Sequence, residues 1–66
     1  MGKYQCRLEE ICANRRWPPP AYFLQGSSNH HICTVVVIND RFQGEPQSSE
    51  EHARESAAEK AIRGIS

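Results

Sequence analysis

The stretch Gln47-Ser-Ser-Glu-Glu-His-Ala-Arg-Glu-Ser-Ala-Ala-Glu-Lys-Ala-Ile62 decides how the chain folds. Ala53, Ala57 and Ala61 recur at helical spacing with Ala58 and Ile62 beside them, which marks one buried stripe of an amphipathic helix. Glu51, Arg54, Glu55 and Lys60 fall outside that stripe and are expected to face water. Side chains no larger than a methyl group let such a helix lie close on a sheet. Ser48 followed by Glu51 three residues later is a capping-box pattern, and Ser49 takes the cap if the start slips by one, so the helix is predicted to begin near position 49. Glu50, Glu51 and His52 then occupy the first turn, where the positive end of the helix dipole favours each carboxylate by about 0.3–1 kcal/mol.

Upstream, His31-Ile-Cys-Thr-Val-Val-Val-Ile38 is dense in β-branched residues and is predicted as a central strand. Alternation puts Cys33, Val35 and Val37 on one face and Ile32, Thr34, Val36 and Ile38 on the other. The first set is assigned to the helix side. Ile32, Val36 and Ile38 of the second, with Phe23, are expected to leave an outward apolar patch. Asn39-Asp40 is predicted as a tight turn into Arg41-Phe42-Gln43, and Gly44-Glu45-Pro46 ends the sheet. Ala21 to Gln25 is a short strand with Tyr22 and Leu24 on one face, closed by Gly26-Ser27-Ser28-Asn29 as turn. Nearest the amino terminus, Tyr4, Leu8, Ile11 and Cys12 follow helical spacing from Lys3 to about Arg16, until Trp17 and Pro18-Pro19-Pro20 stop the helix. The order α-β-β-β-α is an α+β fold, a three-stranded antiparallel sheet packed on two helices, forming one domain over residues 3–64.

At 66 residues the chain is near the lower limit for an independent core. Its eight basic and eight acidic side chains cancel, so net charge argues for no polyanionic partner, although Lys3, Arg7, Arg15 and Arg16 make the amino-terminal part the basic one. No apolar run has the length of a membrane span or an export signal, and the spacing of Cys6, Cys12 and Cys33 is unlike a secreted disulfide framework. An intracellular protein, nuclear or cytoplasmic, with reduced thiols and no membrane partner is expected. His30, His31, Cys33 and His52 lack the paired spacing of a zinc site, so no metal or cofactor is expected. No nucleophile stands at recognisable spacing from a base. Glu9-Glu10 and Glu50-Glu51 splay by about 100° on their helices, and no residue is assigned to catalysis.

The run Leu8-Glu9-Glu10-Ile11-Cys12, then Trp17-Pro18-Pro19-Pro20-Ala21-Tyr22, then Gly44-Glu45-Pro46 ahead of Ser49 and Ala53-Arg54-Glu55-Ser56-Ala57-Ala58, resembles the double-stranded RNA-binding domain (dsRBD) family over essentially the whole chain. Its wording Glu-Ile-Cys-x4-Trp-Pro-x-Pro-x-Tyr, with Gly-Glu-Pro, is most similar to the carboxy-terminal domains of Dicer-like ribonucleases or small-RNA methyltransferases. The resemblance implies a non-catalytic module of an RNA-processing or RNA-silencing protein that binds A-form RNA by shape. Helix one would lie in a minor groove, the loop between strands one and two in the next, and the start of helix two over the phosphates between them.

On that resemblance Glu10 meets ribose 2′-hydroxyls and Glu9 is a neighbouring polar contact, with Lys3 and Arg7 on the same helix. The family's Gly-Pro-x-His loop motif is replaced by Gly26-Ser27-Ser28-Asn29-His30-His31. Asn29 or His30 takes the histidine's place, and His31 is either a further contact or a strand residue facing solvent. Family members that bind tightly carry a lysine cluster where this chain has Glu50, Glu51 and His52, which leaves His52 and Arg54 as the contacts from helix two and implies modest affinity. The alternative is a protein-interaction or dimerisation module on the same fold, with weakened or lost RNA binding, using Phe23, Ile32, Val36 and Ile38 on the outer sheet face.

Overall fold

The computed structural model describes residues 2–65. Helix α1 spans Lys3–Asn14, strands β1, β2 and β3 span Ala21–Ser27, His30–Val37 and Asp40–Gln43, and helix α2 spans Glu50–Ile65. The strands form one antiparallel sheet in the order β1-β2-β3. This is the expected α-β-β-β-α arrangement.

The alanine stripe does what its spacing implies. Ala53, Ala57, Ala58 and Ala61 are fully buried, and with them Cys33, Val35 and Val37 of β2 and Leu8 and Cys12 of α1 make up the core. Tyr4, Trp17, Tyr22, Leu24, Phe42, Ile62 and Ile65 close around it. The approach is close enough that Gly44, leaving β3, has no room for a side chain: a Cβ there would stand 2.5 Å from the Ala57 amide nitrogen. Beyond β3 the chain keeps pairing with β2. The Gly44 amide donates to the Cys33 carbonyl at 3.0 Å, and His31 and Gln47 exchange two backbone bonds at 2.8 Å each. That stitch delivers α2 to the inner face of the sheet.

Several boundaries differ from the sequence expectation, each for a local reason. α1 ends at Asn14 rather than Arg16, because Arg16 takes the left-handed conformation (φ 59°) and the Arg16 and Trp17 amides bond back to the Ala13 and Cys12 carbonyls. This is a Schellman stop built with arginine in place of glycine. The β1–β2 connection is only Ser28-Asn29, since Gly26 and Ser27 pair with His31 and His30. At the second hairpin Val37 pairs with Asp40, which makes Ile38-Asn39 the turn and not Asn39-Asp40.

Ile38 is therefore not part of the outer face of β2. It sits in the turn at φ 58°, a position that costs a β-branched residue about 1–3 kcal/mol. Phe23, Ile32 and Val36 do share the outer face, where Phe23 is 57% exposed. Glu55, expected to face water, is instead half-buried between the helices, with its carboxylate bonded to the amides of Tyr4 and Gln5.

In and around the core, the fold opposes the ionisation of Cys12, Cys33 and Tyr22. Burial raises the thiol pKa of Cys12 from its ordinary 9.0, with Glu9 adding to the effect and Arg15 opposing it. Burial likewise raises Cys33, opposed by the Phe23 amide and by Arg54. Tyr22 is raised by burial first and by Glu9 second, and its hydroxyl has no hydrogen-bond partner among the described residues. In each case the folded state keeps its proton to higher pH than the unfolded chain. Stability is thus unaffected below the unfolded values of 9.0 for the thiols and 10.0 for the phenol, and falls as pH rises beyond them. Denaturant midpoints should be flat from pH 7 to about 8.5 and decline above pH 9. Tyr22→Phe should be neutral or stabilising at pH 7, since it removes a buried unpaired hydroxyl, and should lessen the alkaline decline. A loss of more than about 1 kcal/mol in Tyr22→Phe would show that the hydroxyl is satisfied.

Candidate nucleic-acid interface

Lys3, Arg7 and Glu10 lie at three- and four-residue spacing on the exposed side of α1, opposite the buried Leu8 and Cys12. They form one line along the helix. The Lys3 ammonium stands 5.5 Å from the centroid of the Tyr4 ring, and Arg7 pairs with no carboxylate among the described residues. Glu9 is also exposed but sits about 100° around the axis from Glu10.

The two helices run in the same direction. The amides of Tyr4 and Gln5 bond to Glu55, and at the other end the Arg15 guanidinium reaches the Ile65 carbonyl at 3.4 Å. The β1–β2 turn lies at the end where α2 begins, because His31 is bridged to Gln47 just ahead of that helix. One end of the molecule thus gathers the turn, the start of α2 and the amino end of α1.

The turn divides its candidate residues between the two faces of the sheet. Asn29 is exposed at the tip, and Ser28 before it has φ 54°. His31 is in phase with the buried Cys33 and so lies on the helix side, half-buried, with Nε2 donating to the Ser28 carbonyl at 2.6 Å. His30 is exposed and belongs to the opposite face. The hairpin turn is two residues long, with His31 held against it through Ser28 while Asn29 stands exposed at the tip.

At the start of α2 the cap is Ser49, not Ser48. Ser49 Oγ accepts from the His52 amide at 3.2 Å and lies 2.8 Å from His52 Nδ1. The hydroxyl donates to a neutral imidazole or accepts from a protonated one. The Glu51 carboxylate faces α1 instead of closing the capping box: it accepts from Gln5 Nε2 at 3.1 Å and pairs with Arg54 at 3.4 Å. Two residues along a helix amount to about 200° of rotation, so His52 and Arg54 do not converge. His52 lines a shallow depression with Tyr4, Glu45, Glu55 and Glu59, whereas Arg54 is half-buried on the side toward Cys33. Glu50 is exposed and makes no side-chain bond among the described residues. The amino end of α2 is therefore acidic at its tip, with His52 and Arg54 turned to the flanks.

No family model matches the chain, and comparison with curated protein sequences returns no match. Solved structures do match. A structure of Arabidopsis HYL1, described for its implications for miRNA processing, superposes with a TM-score of 0.86 at 28% identity over 96% of both chains. The first dsRBD of HYL1 is 30% identical over 89% of this chain and 90% of its own, with a TM-score of 0.74. This chain belongs to the dsRBD family. A solution structure of both dsRBDs of DRB4 with their linker gives a TM-score of 0.77 at 28% identity, with 96% of this chain covering 44% of that one.

As a dsRBD the chain has its three candidate contact elements in place, on α1, at the β1–β2 turn and at the start of α2. Sequence spacing did not reveal Glu55, which joins the helices, or Ser56, whose Oγ accepts from the Glu45 amide at 2.8 Å. The signal for Glu55 was the missing cap of α1: Gly2 stands where a serine or aspartate would bond the first amides.

Ser49→Ala should cost about 1 kcal/mol in chemical denaturation and release the His52 ring, whereas Ser48→Ala, which removes no hydrogen bond among the described residues, should stay within about 0.5 kcal/mol of the parent. Equal losses in the two variants would contradict this cap.

Proposed function

We propose that this dsRBD is a non-catalytic module that binds double-stranded RNA by shape, with modest affinity, within a larger intracellular RNA-silencing or RNA-processing protein. The observation that carries it is the arrangement at one end of the fold: the Lys3–Arg7–Glu10 line, the Ser28-Asn29 turn and the start of α2 stand on one framework. HYL1, to which the chain is similar, is described in connection with miRNA processing. Lys3 and Arg7 are suited to phosphates, and Glu10 to a ribose 2′-hydroxyl, which DNA lacks.

Three features keep the affinity modest. The hairpin turn is short, Arg54 is engaged by Glu51, and Glu50 and Glu51 stand where phosphates would pass. A carboxylate close to a phosphate costs about 1 kcal/mol even in water, and each missing phosphate contact flattens the salt dependence by nearly one unit of slope. Titration of a perfect RNA duplex at low salt should show binding, and a DNA duplex of the same sequence should bind more weakly. Glu50→Lys should tighten RNA binding about tenfold and steepen log K against log salt by nearly one unit. Adding Glu51→Lys should bring less than a second such gain, because Glu51 also accepts from Gln5. Absence of duplex binding by both the parent and Glu50→Lys would remove the proposal.

A second function rests on the outer sheet face, where Phe23 and Val36 line a shallow depression with Ala21, Thr34 and Arg41. If it joins copies of the domain, the sedimentation coefficient should rise with concentration and Val36→Glu should abolish the rise. Strictly monomeric behaviour of the parent would exclude self-association through this face.

A further inference from the structure

Helix α1 starts without a cap of its own. Its N-cap residue is Gly2, and the amides of Tyr4 and Gln5 are satisfied from the other helix: Glu55 Oε1 accepts from Tyr4 at 3.0 Å and Oε2 from Gln5 at 2.8 Å. Both carboxylate oxygens are used, and their charge stands at the positive end of the α1 dipole. The contact is tight, since a Cβ on Gly2 would collide with the Glu55 carboxylate. Gln5 adds a side-chain bond to Glu51 one turn earlier on α2. Among the described residues the backbone of α1 lies close to α2 and to no strand, so α1 meets the sheet only through side chains. Leu8 and Cys12 supply the apolar contact, but apolar contacts are non-directional. The two charge-assisted bonds at its amino end are directional.

We propose that Glu55 is a positioning residue for RNA recognition. Through the Tyr4 and Gln5 amides it sets the axial position and rotation of α1 on α2, and with them the placement of Lys3, Arg7 and Glu10 relative to the β1–β2 turn and the start of α2. A rigid duplex reads shape only if these elements keep their spacing. The consequence for RNA rests on the function proposed above, whereas the joint between the helices is measurable without RNA.

The test uses Glu55→Ala, Glu55→Gln and the double variant Gly2→Asp/Glu55→Ala, in which an aspartate caps α1 locally in the space the glutamate leaves. In Glu55→Ala, amide hydrogen exchange at Tyr4 and Gln5 should accelerate at least about tenfold while β2 and the middle of α2 stay protected. Glu55→Gln, with one acceptor oxygen left and no charge, should fall between it and the parent. If Glu55→Ala loses protection throughout, the decision passes to Glu55→Gln. The double variant should recover α1 helicity by chemical shift. Its residual dipolar couplings should still report a displaced α1, and its duplex affinity should remain several-fold below the parent. Unchanged exchange at Tyr4 and Gln5 in both single variants would overturn the proposal. So would full return of the native couplings in the double variant, which would reduce Glu55 to a helix cap. If the parent binds no duplex, the RNA function fails, and the couplings alone still decide whether Glu55 positions α1.

Discussion

The bonds from the Tyr4 and Gln5 amides to the Glu55 carboxylate are the joint on which the arrangement of this molecule depends. α2 is anchored to the sheet by its alanine face and by the stitch through Gly44 and Gln47, whereas α1 is anchored chiefly to α2. The candidate contacts on α1 are therefore placed at second hand. An error in the α1–α2 setting would move Lys3, Arg7 and Glu10 together relative to the β1–β2 turn and the start of α2.

That dependence follows from how a small chain makes a core. A three-stranded sheet has one inner face, and a helix whose buried side chains are methyl groups covers it at close range with little apolar volume. The volume lost to alanine is recovered by larger side chains at the margins: Leu8 from α1, and Tyr22, Leu24, Trp17 and Phe42 around the edge. Full burial of Leu8 or Val35 is worth about 1.5–3 kcal/mol each, a large part of the few kcal/mol a domain of this size has in hand. α1 closes the core as well as carrying the candidate contacts Lys3, Arg7 and Glu10, so docking α1 and completing the core are one event.

The element order was legible because each element writes its period within its own residues. Ala53, Ala57 and Ala61 display helical spacing, and Cys33, Val35 and Val37 alternate with Ile32, Thr34 and Val36 in the pattern the burial follows. What escaped lay between elements. Glu55 read as a solvent-facing charge because its partners are backbone amides about fifty positions away, and backbone donors have no sequence signature of their own. The cap is Ser49, and Glu51 turns toward Gln5, so the pairing of Ser48 with Glu51 that the capping-box pattern suggested does not form. Ile38 escaped because a register set by the pairing of Val37 with Asp40 overrode the dislike of a β-branched residue for positive φ. At the candidate interface the residue types were legible, but their directions were not: His30 and His31 went to opposite faces, and His52 and Arg54 to opposite flanks.

The start of α2 shows why these directions matter for function. Carboxylates in its first turn stabilise the helix, and Glu51 additionally holds Gln5, so acidity here serves the joint that sets α1. A lysine at position 51 would attract phosphate but would lose the acceptor for Gln5 and place a cation at the positive end of the dipole. Phosphate attraction and helix setting thus compete for the same position, and this chain favours the setting. Position 50 carries only the dipole part of that competition, because Glu50 makes no side-chain bond among the described residues. Charge at 50 can therefore tune affinity for a polyanion, whereas charge at 51 changes the affinity and the shape of the binding surface together.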